Sequence, residues 1–145
     1  MIRILLADDH KIVRKGLRGT LEEHPGWQVC GEASSGLEAV GLAMALKPDI
    51  AVLDLAMPEL NGIEATRQIK QVMPEVEVLI FTMHDAEEII LAAFEAGARA
   101  FVLKSNDELE LVEAINVISK HEPFVTTAAS EALRNYLLRS SLKSC

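Results

Sequence analysis

The sequence predicts an α/β fold in which a doubly wound parallel sheet carries helices on both faces. Short apolar runs alternate five times with longer segments whose apolar residues recur at helical spacing. Turn-forming residues separate these segments at Pro25-Gly26, Pro48-Asp49 and Asn61-Gly62. Strands and helices that alternate in this way favour parallel strands, because each helix returns the chain to the same edge of the sheet.

Each predicted strand is a short apolar run, and turn-forming residues stand at the joins. In chain order, the strands are predicted over residues 2–7, 27–33, 50–54, 76–82 and 99–103. The helices between them are predicted over residues 11–23, 36–46, 62–72, 85–96 and 107–119. In the first helix, Ile12, Val13 and Leu17 recur at helical spacing. Pro74 and Gly97 mark the ends of the third and fourth helices.

The pattern changes after Lys120. Residues 121–123 interrupt the helix, and residues 128–138 predict another amphipathic helix. We therefore predict one domain over residues 1–120 and a C-terminal helix or linker over residues 121–145.

Composition narrows the class of protein. Half of the 145 residues are apolar, which is enough for a core, and the net charge of −8 disfavours a surface that coats nucleic acid. Two cysteines allow neither a disulfide framework nor a zinc spacing. The apolar run at the N-terminus is too short for a signal peptide, and no stretch approaches membrane-spanning length. We expect a soluble, cytoplasmic protein.

Polar side chains follow or end four of the predicted strands. Asp8 and Asp9 follow the first strand, Asp54 ends the third, Thr82 ends the fourth and Lys104 follows the fifth. The carboxyl ends of parallel strands meet at one edge of a sheet, where ligands bind in open α/β folds. We expect these side chains to converge on one pocket.

Asp54 is the predicted nucleophile of this pocket. A carboxylate at the end of a buried strand is costly unless it has a partner or a function, and a carboxylate can accept a phosphoryl group to form an aspartyl phosphate. The alternative is an exposed strand-end aspartate that caps the next turn.

Asp8 and Asp9 predict a divalent cation. Adjacent like charges repel each other unless a cation lies between them, and Mg²⁺ binds one or two carboxylates together with phosphate oxygens and water. Asp9 and Asp54 are the predicted direct ligands, and Asp8 assists through water. The alternative is that Asp9 caps the first helix, which explains one aspartate and not two.

Thr82 and Lys104 are predicted to contact the phosphoryl group. The Thr82 hydroxyl can donate to a phosphoryl oxygen, and the compact ammonium of Lys104 can pair with the phosphate or with Asp54 at rest. Taken singly, Thr82 is an ordinary β-branched strand residue and Lys104 an ordinary strand-end lysine. The four histidines show no ligand spacing, and we assign no metal to them.

These residues together resemble a known family. The runs Leu5–His10, Leu53–Pro58 and Phe101–Lys104, with Asn61-Gly62 and Thr82, resemble the receiver domain of response regulators in two-component systems. The similarity covers about residues 1–120. The runs Val13–Leu17 and Phe81–Asp85 are similar to the NarL/FixJ (LuxR-type) subfamily of transcription regulators.

The resemblance implies a flavodoxin-like (βα)5 sheet of strand order 2-1-3-4-5 and a phosphorylation switch. A histidine kinase would phosphorylate Asp54, and Mg²⁺ would be held by Asp9, Asp54 and the backbone carbonyl of Ala56, with Asp8 in support. Thr82 would then move to the phosphoryl group, and Phe101 would change rotamer with it.

The resemblance also implies partners beyond the kinase. Receivers of this type pair as homodimers through helical faces, and members of the subfamily bind DNA through a C-terminal helix-turn-helix domain. Residues 121–145 are too short for such a domain and resemble the interdomain linker. We therefore expect transcription control through an output domain absent from this chain. The alternative is a stand-alone receiver, or a phosphorelay or interaction module, without DNA binding.

Two other classes of function stay open. A phosphatase with an aspartyl-phosphate intermediate usually needs a second aspartate two positions after the nucleophile, and that position is Ala56. A phosphorylation-independent interaction module would make the acidic pocket merely structural. We expect no enzyme beyond self-directed phosphotransfer and autodephosphorylation.

Overall fold

The computed structural model describes residues 1–104 and 108–125, and within them strands and helices alternate. The elements in chain order are β1 (Ile2–Ala7), α1 (Lys11–Glu22), β2 (Trp27–Ala33), α2 (Gly36–Leu46), β3 (Ile50–Leu53), α3 (Gly62–Val72), β4 (Glu77–Thr82), α4 (Glu87–Ala96), β5 (Ala100–Leu103), α5 (Glu108–Ile118) and β6 (Phe124–Val125). The predicted bounds of the first ten elements agree to within two residues.

The sheet is parallel throughout, and its first five strands follow the order 2-1-3-4-5. The predicted α/β fold and its strand order are therefore confirmed. The structure adds β6, in which Phe124 pairs with Ala100 in parallel register. The sheet thus extends beyond residue 120, where the sequence predicts the end of the domain. The sequence did not predict β6, because a two-residue strand is too short to leave a periodic signal. The helix predicted over residues 128–138 lies outside the described residues.

Two apolar cores lie on opposite faces of the sheet, because successive strand residues point to opposite sides. Leu5 and Leu53 pack with Ala43 of α2, Ile69 of α3 and Ile90 of α4. The neighbouring residues of the same strands face the other way. They pack against helices α1 and α5 in a second cluster. This alternation explains why β3, buried over its whole length, reads as a continuous apolar run.

Local signals account for the helix starts. Ser35 and Asn61 cap α2 and α3, and their side chains accept hydrogen bonds from the backbone N–H groups of Glu38 and Glu64. Helix α4 begins at Glu87 rather than at the predicted residue 85, because the preceding Ala86 has non-helical backbone angles, φ −59° and ψ 138°. No helix in the described ranges is long and apolar enough to cross a membrane.

A buried carboxylate lies at the opposite edge of the sheet from the predicted pocket. Glu77, at the start of β4, has a side chain that is 3% exposed. Its Oε2 accepts a hydrogen bond of 2.8 Å from Arg99 Nε, and its Oε1 lies 3.4 Å from Lys70 Nζ. The Nδ1 atom of His121 lies 3.7 Å from Oε2. These contacts join β4 to α3, to the residue before β5 and to the segment that follows α5.

Candidate functional site

The carboxyl edge of the sheet brings the predicted polar residues together. Asp8 directly follows β1, Asp54 directly follows β3, Thr82 ends β4 and Lys104 directly follows β5. Strands β1, β3, β4 and β5 are neighbours in the sheet, so residues that are far apart in sequence meet at one edge. This convergence is the geometry that the spacing predicted.

Backbone hydrogen bonds from neighbouring strands hold these residues in place. The Asp8 N–H donates to the Ala33 carbonyl of β2 at 3.0 Å, and the Asp54 N–H donates to the Ala7 carbonyl of β1 at 2.9 Å. The Lys104 N–H donates to the Thr82 carbonyl at 2.8 Å. Each side chain therefore projects from a position that the sheet itself defines, as a preorganised site requires.

Lys104 connects two buried carboxylates. Its Nζ donates to Asp8 Oδ2 at 2.5 Å and to Asp54 Oδ2 at 3.2 Å. The side chains of Asp8, Asp54 and Lys104 are 4%, 7% and 14% exposed. A charge-assisted hydrogen bond between groups this buried is much stronger than an ion pair on the surface. The ammonium therefore neutralises part of the negative charge of the pocket.

These contacts shift the pKa values of Asp8 and Lys104 in opposite directions. Burial alone raises the pKa of the Asp8 carboxyl, but hydrogen bonds from Lys104 and from the His10 backbone outweigh it, so that pKa lies below the usual 3.8. Burial alone lowers the pKa of Lys104, but its hydrogen bond to Asp8 and the charge of Asp54 raise that pKa above 10.5. Both groups therefore stay charged near neutral pH.

Asp9 lies at the solvent side of the same pocket, with a side chain that is 35% exposed. Ligand atoms of Asp8, Asp9, His10 and Asp54 all lie within 4.8 Å of one another. The alternative role of Asp9 as a helix cap is not what the structure shows, because His10 occupies the N-cap position of α1. The clustered carboxylate oxygens suit a hard divalent ion such as Mg²⁺.

The loop after Asp54 presents a further oxygen. Ala56 is exposed, and among the described residues no hydrogen bond ends on its carbonyl oxygen. The Gly62 N–H donates to the Leu55 carbonyl at 2.9 Å, which folds the loop back against the strand end. A Cβ at Gly62 would overlap the Asp54 carbonyl oxygen. The glycine therefore permits the close approach of the start of α3 to the end of β3.

Thr82 and Phe101 are both buried in the structure. Thr82 is 0% exposed, and its Oγ1 lies 3.4 Å from the His84 backbone nitrogen, which donates to it. Phe101 is 1% exposed and packs in the core on the side of α3 and α4, near Ile90. Thr82 thus stands at the strand end beside Lys104. Phe101 belongs to the core beneath it, and its predicted rotamer change stays a prediction.

Two residues at the site were not selected by the sequence reasoning. Arg14, 14% exposed, donates from Nη1 to the Asp8 carbonyl at 2.5 Å and from Nε to Glu32 Oε1 at 3.2 Å. The sequence gives only a weak signal for Arg14, which is that a cation stands three positions before Leu17 and so lies on the buried face of α1. The ring of His10 is the second, and lies beside the carboxylates of Asp8 and Asp9.

Comparison with known proteins agrees with this geometry. The family described as the response regulator receiver domain matches residues 4–116. The chain belongs to this receiver family. Receiver domains are parts of response regulators in two-component systems, they generally bind Mg²⁺ at an acidic pocket, and they interact with histidine kinases. The resemblance predicted from the sequence is therefore confirmed.

The curated relatives of this receiver are regulators of the LuxR/NarL type. The transcriptional regulatory protein LiaR of Bacillus subtilis (strain 168) is 42% identical over 123 residues, which cover 85% of this chain and 58% of LiaR. The DNA-binding transcriptional activator DevR/DosR of Mycobacterium tuberculosis is 38% identical over 133 residues, which cover 92% of this chain and 61% of DevR/DosR. The receiver thus spans somewhat more than half the length of these relatives.

Solved structures share the fold. A LuxR-family response regulator from Aurantimonas sp. SI85-9A1 superposes with a TM-score of 0.87 at 43% identity, covering 94% of this chain and 99% of that one. The isolated receiver domain of RcsB from Salmonella enterica serovar Typhimurium, solved in the presence of a phosphomimetic, gives a TM-score of 0.82 at 26% identity. That match covers 90% of this chain and 97% of the RcsB domain.

Proposed function

We propose that this receiver is a phosphorylation-controlled switch in which Asp54 accepts a phosphoryl group from a histidine kinase. The observation that supports the proposal is the Lys104 ammonium, which joins the buried carboxylates of Asp8 and Asp54 at the sheet edge where Thr82 also ends its strand. A nucleophile, a cation and a hydroxyl donor are the groups that phosphoryl transfer to a carboxylate requires.

The proposed reaction needs no other protein nucleophile. An Asp54 carboxylate oxygen attacks the phosphorus of a phosphohistidine, and the P–O bond forms as the P–N bond breaks. The electron pair returns to the imidazole of the kinase, which takes up a proton. Asp8, Asp9, Asp54 and the Ala56 carbonyl would hold Mg²⁺, which offsets the negative charge that gathers on the phosphoryl oxygens.

The product then changes the contacts of Lys104 and Thr82. A phosphoryl group on Asp54 adds negative charge and acceptor oxygens next to the Lys104 ammonium and the Thr82 hydroxyl. Only contacts that differ between the two states can shift their equilibrium, and these two side chains supply that difference. The neighbouring core, including Phe101, would repack in response.

The test is chemical phosphorylation of the purified chain. A small phosphodonor with Mg²⁺ is expected to add one phosphoryl group that is stable to acid and labile to base, detected by intact mass. Asp54→Asn is expected to abolish the addition. Asp85→Asn, which removes an exposed carboxylate from the β4–α4 loop, is the matched control and is expected to label normally. Unchanged labelling of Asp54→Asn would contradict the site assignment.

We also propose that the output is transcription control through a DNA-binding domain C-terminal to this receiver. Support comes from relatives named as transcriptional regulators, of which this chain spans 58% and 61%. The size of the endogenous gene product tests this. A product close to the length of this chain would favour the stand-alone or phosphorelay alternative.

A homodimer through α1 and α5 is the proposed consequence of phosphorylation. The two helices are neighbours, since Thr20 Oγ1 donates to Glu108 Oε2 at 2.8 Å. Ile12 on α1 and Leu109 on α5 are 87% and 70% exposed. Sedimentation with and without a phosphoryl mimic measures the change.

We propose no turnover of external substrates, and steady hydrolysis of a phosphomonoester would contradict that view.

A further inference from the structure

We propose that His10 is a nitrogen ligand of the divalent-cation site, which raises the affinity of that site for first-row transition metals relative to Mg²⁺. The inference rests on the proposed cation site of Asp8, Asp9 and Asp54 and adds a ligand of a different chemical class. It predicts that this receiver binds an ion such as Co²⁺ through one imidazole nitrogen together with carboxylate oxygens.

The position of the ring supports the proposal. His10 Nδ1 lies 3.0 Å from Asp9 Oδ1 and 3.2 Å from Asp8 Oδ1. With Asp54 included, the four ligand atoms lie within 4.8 Å of one another. Two atoms that bind one octahedral ion at about 2.1 Å lie about 3.0 Å apart when adjacent and about 4.2 Å apart when opposite. The cluster is therefore close to the size of one coordination sphere.

The local backbone directs the ring toward the carboxylates and away from the helix. His10 stands at the N-cap of α1 with extended backbone angles, φ −99° and ψ 107°, and makes no side-chain cap hydrogen bond. Its backbone N–H donates to Asp8 Oδ1 at 2.8 Å, which ties residue 10 to the acidic pair. A histidine that capped the helix would point its nitrogen at the first-turn N–H groups instead.

The chemistry of the donor set determines which ions gain from His10. Imidazole nitrogen suits Co²⁺, Ni²⁺, Cu²⁺ and Zn²⁺, whereas Mg²⁺ prefers oxygen and water. The His10 side chain is 69% exposed, so an ion can reach Nδ1 from solvent. Metal binding through Nδ1 requires the tautomer in which Nε2 carries the ring hydrogen. Among the described residues, this imidazole is the one within reach of all three carboxylates.

The experiment compares Co²⁺ and Mg²⁺ binding in wild type, His10→Ala, His84→Ala and Asp9→Asn. Calorimetry gives the affinities, and NMR detects the hyperfine-shifted ring signals of an imidazole bound to Co²⁺. His84→Ala is the matched control, because His84 is also exposed and follows a strand end of the same edge. His10→Gln is a second variant, and amide spectra without metal verify that each variant is folded.

The proposal expects His10→Ala to lose the shifted ring signals and about tenfold in Co²⁺ affinity, with Mg²⁺ affinity changed by less than about twofold. His84→Ala should retain the shifted ring signals, the Co²⁺ affinity and the Mg²⁺ affinity of wild type. If Asp9→Asn weakens both ions while His10→Ala changes neither, the His10 ligand is refuted and the proposed cation site stands. If Asp9→Asn also leaves both affinities unchanged, the cation site itself is refuted.

Discussion

Removal of the Lys104 ammonium is expected to destabilise the metal-free protein and to strengthen Mg²⁺ binding. In Lys104→Met, Asp8 and Asp54 keep side chains that are 4% and 7% exposed but lose the cation between them. Breaking a buried ion pair costs about 3–5 kcal/mol. Because Lys104 stands at the rim of the sheet and is itself 14% exposed, we expect the lower end, about 3 kcal/mol.

Magnesium should recover up to about half of that loss. The Lys104 charge opposes a divalent ion at the same carboxylates, so its removal is expected to tighten Mg²⁺ binding about tenfold, which corresponds to about 1.4 kcal/mol. Urea unfolding followed by the fluorescence of Trp27, the single tryptophan, measures the free energy of unfolding at each Mg²⁺ concentration. Lys15→Met, which removes an exposed lysine from α1, is the matched control.

Two results would refute this reasoning. A loss of less than about 1 kcal/mol without Mg²⁺ would show that Lys104 makes only a surface ion pair. An unchanged Mg²⁺ affinity would show that the ammonium and the ion do not share the carboxylates. The double variant Asp8→Asn with Lys104→Met should be more stable than Lys104→Met alone, because it removes one of the two unpaired charges.

Three further predictions concern pH, packing and the buried charge at the opposite edge. Because the pKa of folded Asp8 lies below 3.8, the contribution of Asp8 to stability is present above pH 3.8 and is lost as the pH falls through the lowered pKa. Acid titration followed by circular dichroism should show this loss in wild type and not in Asp8→Asn. Gly62→Ala should lower the free energy of unfolding by about 3 kcal/mol, since the new methyl group overlaps the Asp54 carbonyl. Gly41→Ala in α2, where there is open space around the glycine, should raise the free energy of unfolding by up to about 1 kcal/mol. Glu77→Gln removes the buried charge that Lys70 and Arg99 contact, and because both cations are partly exposed, the loss should be about 2 kcal/mol in urea unfolding. A loss below about 1 kcal/mol would contradict a buried role.

Much of the fold could be predicted from local patterns. An apolar run buried on both faces leaves a continuous signal, as at Ile50–Leu53, and a helix against the sheet leaves a spacing of three and four residues. The strand order came instead from resemblance to a family, because periodicity indicates which residues are buried and not which strands are neighbours. Strand β6 was missed for a different reason, because two residues, Phe124-Val125, are too few to show a period.

The candidate site divides in the same way. The sequence by itself determined that Asp8, Asp54, Thr82 and Lys104 stand at strand ends, because that depends only on where each apolar run stops. Only the tertiary structure decided that Lys104 contacts Asp8, which lies 96 positions away in the sequence, because that contact depends on how β1, β3 and β5 are arranged in the sheet.

The environments of Arg14, His10 and Glu77 also came from the tertiary structure alone. The sequence shows a cation on a helix, a histidine after two aspartates and a glutamate at the start of a strand. Whether such groups are buried, paired or aimed at a shared point depends on side-chain directions and on neighbours that packing brings together. Local sequence therefore determined the elements and their polar ends, while packing decided which charges meet.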